Sequence, residues 1–318
     1  MAYRDRTPFY SDPLSMLLSR LLEWSRSVPK MVPGINYMDK KLKLAYSTCP
    51  NDTFIFYALS HNAIDCGELK FEIKLADVET LNQHARAGVY DISKSSFAAI
   101  GHFVEEYGLL RSGAALGRGC GPLLVAKPGF DIEQLSSKKI AVPGMWTTAC
   151  MLLGLYLSKN PEAVPMPFEQ IMPAIQNDKY ECGVIIHEGR FTYEEYGLVR
   201  VIDLGEWWEE KTSLPVPLGG IVVRRDITSS ITRKIEDLIR SSVEYSFNHR
   251  NEADDYIKKC AQETSPEVIR QHIDLYVNDF TLSLGKEGEE AVNTLFRMAR
   301  DSKMLPESSS PLFINSGG

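Results

Sequence analysis

His187 is the residue of this sequence that is best placed for acid–base chemistry. It follows the apolar run of residues 182–186, and Glu188 and Arg190 come directly after it. Such a run predicts a buried strand over residues 182–187, which would carry the imidazole to the carboxyl edge of a sheet. A neutral imidazole at the edge of a cleft is the commonest general base. A structural imidazole bonded to a backbone carbonyl fits the same residues, so both interpretations stay open.

Three turns rich in hydroxyl and amide groups follow predicted strands. They cover residues 47–53, 91–99 and 142–157, and each of them opens a predicted helix. Their candidate ligand-binding side chains are Asn51, Thr53, Ser95, Ser96, Thr147 and Thr148. Free N–H groups and the positive end of the helix dipole bind anions at helix starts, although the same side chains also suit simple capping. Three such turns facing one cleft predict a small-molecule carboxylate or another oxygen-rich ligand.

Other kinds of catalytic site find little support in the sequence. No second His or Cys stands at metal-ligand spacing to His187, so we expect no metal site. No G-x-S-x-G nucleophile elbow is present. The glycine-rich residues 117–121 have neither dinucleotide-binding nor P-loop spacing, and we interpret them as a hinge.

The composition is that of an ordinary globular protein. The 318 residues are 44% hydrophobic and 24% charged, with a net charge of −7 and no long basic run, so nucleic acid is not an expected partner. No stretch reaches the length of about 20 apolar residues that spans a bilayer, and we expect no membrane partner. Six widely scattered cysteines suit reduced thiols and predict a cytoplasmic protein.

Predicted strands and helices alternate from residue 42 onward. The strands are expected at residues 42–47, 69–75, 89–94, 108–114, 121–130, 138–143, 182–187, 198–203 and 219–228. The helices are expected at residues 53–62, 77–87, 96–106, 147–158, 168–177, 228–249, 251–262, 266–276 and 286–302. This alternation predicts an α/β protein with mostly parallel sheets covered by helices.

Two similar segments suggest that the chain crosses between two lobes. Residues 121–130 and 219–228 are both apolar strands that begin with glycine and reach a basic residue, and a complete α/β unit lies between them. We therefore predict a two-lobed fold with a hinge of two crossing strands, in which residues 41–122 and 223–318 form lobe 1 and residues 123–222 form lobe 2. One continuous doubly wound sheet is the alternative.

Two further segments carry expectations of their own. Residues 1–40 are expected to be an extension outside the fold, either disordered or non-native, because residues 25–41 show no periodicity and Met38 reads as a natural start. Trp207 and Trp208 stand close to two prolines. They would form either a rigid aromatic wall beside the cleft or a packed corner.

Several long motifs resemble one enzyme family. They include "STCPNDTFIFYAL", "LGRGCGPLLVA", "VPGMWTTA", "GVIIHEGRFTYEEYGL" and "DLGEWWEEKTSLPVPLG". In this order and over about residues 42–302, the chain resembles the 1,4-dihydroxy-6-naphthoate synthases of the futalosine route to menaquinone. The resemblance implies a fold like the periplasmic binding proteins of the second structural class.

The resemblance also implies an activity and a set of site residues. The activity is a lyase reaction that converts cyclic dehypoxanthine futalosine to 1,4-dihydroxy-6-naphthoate and dihydroxyacetone, without a cofactor. His187 matches the proton acceptor of the family. Lys94, Ser95 and Ser96, together with Thr147, Thr148 and Ala149, match its ligand-contacting turns.

Two other functions stay open beside this one. A chorismate dehydratase of the same pathway would share the fold, although that enzyme lacks the C-P-N-D-T-F turn and the I-I-H-E block that this chain has. A solute-binding protein without catalysis would use His187 as a ligand contact only. The sequence leaves the oligomeric state open, with a homodimer as one possibility.

Overall fold

The computed structural model of the protein describes residues 41–262 and 265–314. The extension predicted at residues 1–40 lies outside the described residues. Within them, no helix is long and apolar enough to cross a membrane.

Eleven strands lie in the described part of the chain. They are β1 (Leu42–Tyr46), β2 (Phe71–Leu75), β3 (Ile92–Ser96), β4 (Tyr107–Leu109), β5 (Ala115–Gly117), β6 (Leu123–Ala126), β7 (Ile140–Val142), β8 (Ala163–Pro165), β9 (Cys182–Ile185), β10 (Val199–Asp203) and β11 (Val216–Arg224).

The helices of the described residues connect and cover these strands. They are α1 (Pro50–Ser60), α2 (Val78–Arg86), α3 (Phe97–Ile100), α4 (Thr148–Leu157), α5 (Phe168–Gln176), α6 (Gly189–Thr192), α7 (Leu204–Thr212), α8 (Ser229–Asn248), α9 (Asp254–Cys260), α10 (Pro266–Tyr276), α11 (Asp279–Leu282) and α12 (Gly285–Asp301). Short 3₁₀ helices occur at Ile132–Ser137, Tyr193–Tyr196 and Arg250–Ala253.

The strands form two mixed sheets, and the fold is a two-lobed α/β fold. The first sheet has the order β2-β1-β3-β11-β4, and β5 also pairs with β11. The second sheet has the order β10-β6-β9-β7-β8. Strands β1, β2 and β3 run parallel, as do β7, β8 and β9, so the turns that follow them meet at the carboxyl edge of each sheet.

Antiparallel pairings are more frequent than the sequence predicts. Strand β11 runs antiparallel to β3, β4 and β5, and β6 runs antiparallel to β9 and β10. The reason is that these strands follow the crossings between the lobes and enter their sheets from the opposite end. The expected parallel pairing is therefore found among β1, β2 and β3 and among β7, β8 and β9, which are the strands whose turns form the site.

The chain crosses between the sheets at two places. It leaves β5 at Gly117 and enters β6 at Leu123, and it returns between α7 and β11. The glycine-rich residues 117–121 thus lie at the first crossing. All of β11 pairs within the first sheet, and the numbered lobe boundaries given above stay a prediction.

Several helices differ in length from the sequence prediction. The helix expected at residues 96–106 is confined to Phe97–Ile100, and turns follow it. The first helix begins earlier than expected, at Pro50, because proline fits the first turn of a helix. The segment around Trp207 and Trp208 is helix α7, whose Asp203 cap accepts hydrogen bonds from the N–H groups of Gly205 and Glu206.

Helix α1 is buried on nearly all sides, which explains its unbroken run of apolar residues. It packs against α8, from which the hydroxyls of Ser242 and Ser246 donate to the carbonyls of Ile55 and Phe54 at 2.7 and 2.8 Å. Because α1 is held this tightly, the turn at its N-terminus has a fixed position at the sheet edge.

The backbone near the first crossing leaves no room for a side chain. A Cβ atom added to Gly205 would lie 2.7 Å from the Cα atom and 2.8 Å from the nitrogen of Gly121. Backbone atoms cannot move aside as the end of a flexible side chain can, so the two glycines permit the close approach of α7 to the crossing segment.

We expect Gly205→Ala to destabilise the protein by about 1–3 kcal/mol, the usual cost of overpacking, and to lower its Tm by about 3–10 °C. Gly189→Ala is the matched control, because the nearest atom to its added Cβ lies at an ordinary 3.5 Å. Thermal unfolding followed by circular dichroism measures both variants. Equal Tm values for the two variants would contradict this reading of the contact.

Candidate active site

The turns at the carboxyl edges of both sheets line a single cleft. It encloses about 720 Å³ of space, including its opening to solvent. Its polar lining comes from both lobes and includes Ser47, Asn51, Asp52, Lys94, Ser95, Ser96, Thr147, Thr148, His187, His272 and Tyr276. The cleft is therefore the meeting place of the three turns that the sequence singles out.

The predicted site residues lie at this cleft with one exception. Ala149 lines it beside the two threonines. Thr53 does not line it, because its side chain is fully buried and its hydroxyl donates to the carbonyl of Cys49 at 3.0 Å. Thr53 is therefore neither a ligand contact nor a cap, because its hydroxyl donates to backbone carbonyls, whereas Asn51 from the same turn lines the cleft.

His187 lies in the turn that follows β9, two residues beyond the end of the strand. Its φ of 57° is in the left-handed region, which is uncommon for non-glycine residues, although asparagine, aspartate and histidine adopt it more often than the others. Such strain is common at functional sites, where the surrounding structure holds it in place. The imidazole stacks on Phe168 with ring centroids 5.2 Å apart, which fixes the plane of the ring.

The surroundings of His187 favour its neutral form. Burial lowers the pKa of the imidazole below its ordinary value, and Lys94 lowers it further. The carboxylates of Glu188 and Asp52 act in the opposite direction. A neutral imidazole in a cleft wall has a lone pair with which it can accept a proton.

Cys49, His187 and Glu188 have the donor atoms that could hold a metal ion. Their candidate ligand atoms all lie within 4.8 Å of one another, and the Cys49 sulfur is 4.0 Å from Nε2 of His187. A metal would require the thiolate. Burial, and next to it the Glu188 charge, raises the pKa of Cys49 well above its ordinary value, which favours the protonated thiol where no metal ion is bound.

Lys94 and Asp52 form a buried ion pair at the floor of the cleft. The ammonium nitrogen lies 3.3 Å from Oδ1 of Asp52 and donates to the carbonyl of Gly113 at 2.7 Å. Oδ2 of Asp52 accepts from the hydroxyl and the N–H of Ser47 at 2.7 and 3.1 Å. The pair thereby fixes the start of α1 against β3.

Ser95 and Ser96 end strand β3 and pair with Gly220 and Gly219 of β11. Ser96 precedes helix α3, but its side chain makes no capping bond. Its Oγ accepts instead from the buried side-chain amide of Asn82 at 3.1 Å. That bond leaves the hydroxyl proton of Ser96 available to a ligand.

The hydroxyls of Thr147 and Thr148 are engaged by the protein itself. Thr147 caps helix α4, because its Oγ accepts from the N–H of Cys150 at 3.3 Å and donates to the carbonyl of Gly144 at 2.8 Å. Thr148 Oγ donates to the carbonyl of Leu218 at 2.6 Å and accepts from the N–H of Ala98 at 3.2 Å. What this turn can offer an anion is the unpaired N–H groups of a helix start.

Further contacts hold the two lobes together at the mouth of the cleft. The backbone N–H of Trp146 donates to the carboxylate of Glu79 at 3.3 Å, and the backbone carbonyl of Trp146 accepts from the side-chain amide of Asn82 at 3.3 Å. The guanidinium of Arg86 lies 4.4 Å from the centre of the indole ring, and His102 packs edge-on against that ring. The lobes are therefore closed on one another.

Sequence reasoning missed three side chains of this site. The sequence assigns no role to Asp52, His272 or Tyr276. His272 is 1% exposed, and its ring packs at a tilt against that of Tyr276 with a centroid distance of 4.6 Å. The apolar spacing of Ile269, Ile273 and Tyr276 on the same helix face was the available signal, because it marks a buried face that also contains His272.

The two tryptophans belong to a packed corner. Trp208 is fully buried, and its indole N–H donates to the carbonyl of Pro215 at 3.0 Å. Trp207 packs edge-on against Tyr156. Neither residue is among those that line the cleft.

The architecture is that of the periplasmic binding proteins. A Candida albicans protein described as having the generic periplasmic binding protein fold superposes with a TM-score of 0.62 at 15% identity, over 85% of this chain and 92% of its own. A protein of known crystal structure from Archaeoglobus fulgidus superposes with a TM-score of 0.79 at 34% identity, over 83% of this chain and 98% of its own.

Residues 42–301 match the family described as "Menaquinone biosynthesis", and the chain belongs to that family. It is 46% identical to a 1,4-dihydroxy-6-naphtoate synthase of Thermus thermophilus, over 86% of this chain and 99% of the relative. It is 39% identical to the protein of the same name from Streptomyces coelicolor, over 83% of this chain and 95% of the relative. The matched region contains every residue of the cleft.

The buried pair predicts a stability test. Lys94→Met leaves the Asp52 carboxylate buried without its cation, which should cost about 3–5 kcal/mol. Adding Asp52→Asn removes the orphaned charge and should restore much of the lost stability. Urea unfolding of both single variants and of the double variant measures this coupling. Strictly additive losses would show that the two side chains do not depend on each other.

Proposed function

We propose that the protein is a 1,4-dihydroxy-6-naphthoate synthase. In this role it acts as a carbon–carbon lyase on cyclic dehypoxanthine futalosine and releases dihydroxyacetone. The observation that carries the proposal is the position of His187 in the wall of a closed cleft, where burial lowers the pKa of its imidazole and the other walls can hold an anion. Membership of the menaquinone family and the names of two relatives support the same activity.

The carboxylate of the substrate is held by donors from both lobes. Thr148 and Ala149 line the cleft at the start of α4, where the helix has free N–H groups and the positive end of its dipole. Ser96 supplies a hydroxyl proton from the opposite wall. Lys94 adds positive charge at the floor, and part of that charge is balanced by Asp52.

His187 performs the proton transfer. It takes a proton from the sugar-derived part of the substrate, and the carbon–carbon bond breaks in retro-aldol fashion. The electron pair of that bond remains on the ring fragment as an enolate, dihydroxyacetone leaves, and His187 returns the proton to the enolate oxygen. Formation of the aromatic ring drives the reaction forward.

Closure of the lobes excludes water from the enolate. The contacts of Trp146 with Glu79, Asn82 and Arg86 close the mouth of the cleft. Opening and closing at the two crossings would admit the substrate and release the products. A protein that only binds a solute needs the same motion, so closure alone does not distinguish the two functions.

A cytoplasmic location and a homodimeric assembly stay predictions. The first rests on six cysteines, which are all free in the structure.

The substrate assay distinguishes this function from its rivals. Purified protein is incubated separately with cyclic dehypoxanthine futalosine and with chorismate, and products are followed by mass spectrometry. We expect 1,4-dihydroxy-6-naphthoate and dihydroxyacetone in equal amounts from the first substrate, and no reaction with the second. Turnover of chorismate, or binding of either compound without turnover, would refute the proposal.

His187→Asn should lower kcat by about 10²–10⁴-fold, because the amide keeps some hydrogen bonding but does not accept the proton. Substrate should still bind to this variant, as measured by calorimetry under conditions without turnover. Phe168→Leu serves as a comparison, since it loosens the stacking on the ring but leaves the imidazole in place. Near-normal kcat in His187→Asn would remove the residue from the mechanism.

Ser96→Ala should raise KM by about 10- to 100-fold, the effect of losing a hydrogen bond to a charged group, and should change kcat little. The reason is that the substrate carboxylate is bound equally in the ground state and the transition state. Ser93→Ala is the matched control, because Ser93 is buried on the same strand and does not line the cleft. A similar KM in both variants would place the carboxylate elsewhere.

A further inference from the structure

Two buried polar atoms face each other beside His187. Nδ1 of His272, on α10, lies 3.6 Å from Oε2 of Glu188, and among the described residues neither atom has a hydrogen-bond partner. Both residues are more than nine-tenths buried. Buried polar atoms without partners are uncommon, and two that face each other indicate a group that binds between them.

The hydrogen bonds of Asn51 leave one nitrogen of His272 for such a group. The amide nitrogen of Asn51 donates to Oδ1 of Asp52 at 2.9 Å, so its amide oxygen faces Nε2 of His272 at 3.0 Å. Nε2 therefore carries a proton in either charge state of the ring, and Nδ1 is the nitrogen that can bind a ligand in the gap. Histidines that bind metals have this arrangement, in which the other ring nitrogen donates to a fixed acceptor.

Two further donor atoms lie beside the gap. The Cys49 sulfur is 4.0 Å from Nε2 of His187, and these two atoms and a carboxylate oxygen of Glu188 all lie within 4.8 Å of one another. Ordinary bond lengths place two ligands of one tetrahedral zinc ion about 3.4 Å apart for nitrogen and oxygen, and about 3.6 Å apart for sulfur and nitrogen. The observed separations of 3.6 and 4.0 Å are slightly larger, and small side-chain movements would close the difference.

We propose that Cys49, His187, Glu188 and His272 bind a single zinc ion, and that zinc bound there blocks the general base. Thiolate and imidazole ligands together select zinc over magnesium or calcium. When the ion binds, the S–H bond of Cys49 breaks, a Zn–S bond forms and the proton passes to solvent. The thiolate and the carboxylate then balance the double charge of the ion, so the buried site is neutral as a whole.

The position of the site explains why zinc and turnover exclude each other. His187 and His272 line the cleft, so the ion reaches the site from the same side as the substrate. A neutral imidazole has one lone pair, and a zinc ion on Nε2 of His187 leaves none to accept a proton. The expectation of no metal site was based on spacing along the chain, whereas 138 positions separate Cys49 from His187.

Binding is tested without substrate. Full-length protein that has been dialysed against a chelator is titrated with zinc chloride in a calorimeter, and we expect about one ion per chain. Cys49→Ser and Glu188→Gln should each weaken binding by more than about 100-fold, because the loss of an outer-shell partner alone costs up to that factor. Cys66→Ser is the matched control, because Cys66 is a second free thiol that belongs to no cluster of potential ligands among the described residues.

Two results of this titration would overturn the proposal. One is the absence of zinc binding to the wild type. The other is wild-type affinity in Cys49→Ser or in Glu188→Gln, which would show that zinc binds elsewhere on the chain. Circular dichroism verifies that each variant is folded.

Cobalt(II) tests the ligands in the wild type itself. Bound in place of zinc, it should give the intense visible bands of tetrahedral coordination and the near-ultraviolet charge-transfer band of a thiolate ligand. These spectra require no variant, so the test holds even where a ligand variant does not fold. Weak octahedral bands, or a spectrum without the thiolate band, would show adventitious metal binding only and overturn the proposal.

Asn51 tests whether His272 takes part. Asn51→Ala removes the acceptor that directs Nδ1 of His272 toward the gap, and it should weaken zinc binding about 10- to 100-fold. Asn177→Ala is the control, because Asn177 is exposed at the end of α5. Equal affinities in the two variants would overturn the site with four ligands.

Activity gives a further readout, and this part of the test rests on the proposed function. Zinc should stop the release of 1,4-dihydroxy-6-naphthoate, and a chelator should restore it. Cys49→Ser, compared with its own rate without metal, should require more than about 100-fold more zinc for the same inhibition. Full activity of the wild type with zinc in the site would overturn the block of the base. Zinc binding as described, in a protein without turnover of this substrate, would refute the proposed function and support the site.

Discussion

The ion pair between Lys94 and Asp52 is the interaction on which the cleft depends. It joins the start of α1 to β3, so two of the three turns that line the cleft owe their relative position to it. The same pair gives Asn51 its orientation, because Oδ1 of Asp52 accepts the hydrogen bond and the amide nitrogen is the donor of the Asn51 side chain. The amide oxygen of Asn51 is thereby left to face His272.

The hydroxyl groups of the cleft divide between holding the fold and meeting a ligand. Thr148 joins α4 to β11 and α3, and Thr147 caps its own helix. Ser96, in contrast, accepts from Asn82 and keeps its proton. Residues of one chemical type at equivalent helix starts therefore have different tasks, which are decided by whether a backbone carbonyl lies within reach.

The turns of the site could be predicted from the sequence because they obey a local rule. Polar residues that directly follow apolar strands lie at the carboxyl edges of sheets, and this placed Asn51, Ser96, Thr148 and His187 at one cleft. The partners of those residues could not be predicted. Asn51 meets His272 across 221 positions of sequence, and only the packing of α10 on α1 brings them together.

The contrast between local rules and long-range packing also explains why some helix and strand predictions were wrong. The helix predicted at residues 96–106 has the right periodicity but stops after Ile100, because the chain must turn to form β4. The antiparallel direction of β11 could not be predicted from local sequence either, because it follows from the return of the chain to the first sheet. Local pattern therefore decides where a side chain such as His187 leaves a strand, and long-range packing decides its protonation state. The unpaired atoms of Glu188 and His272 belong to this second, global level of the structure.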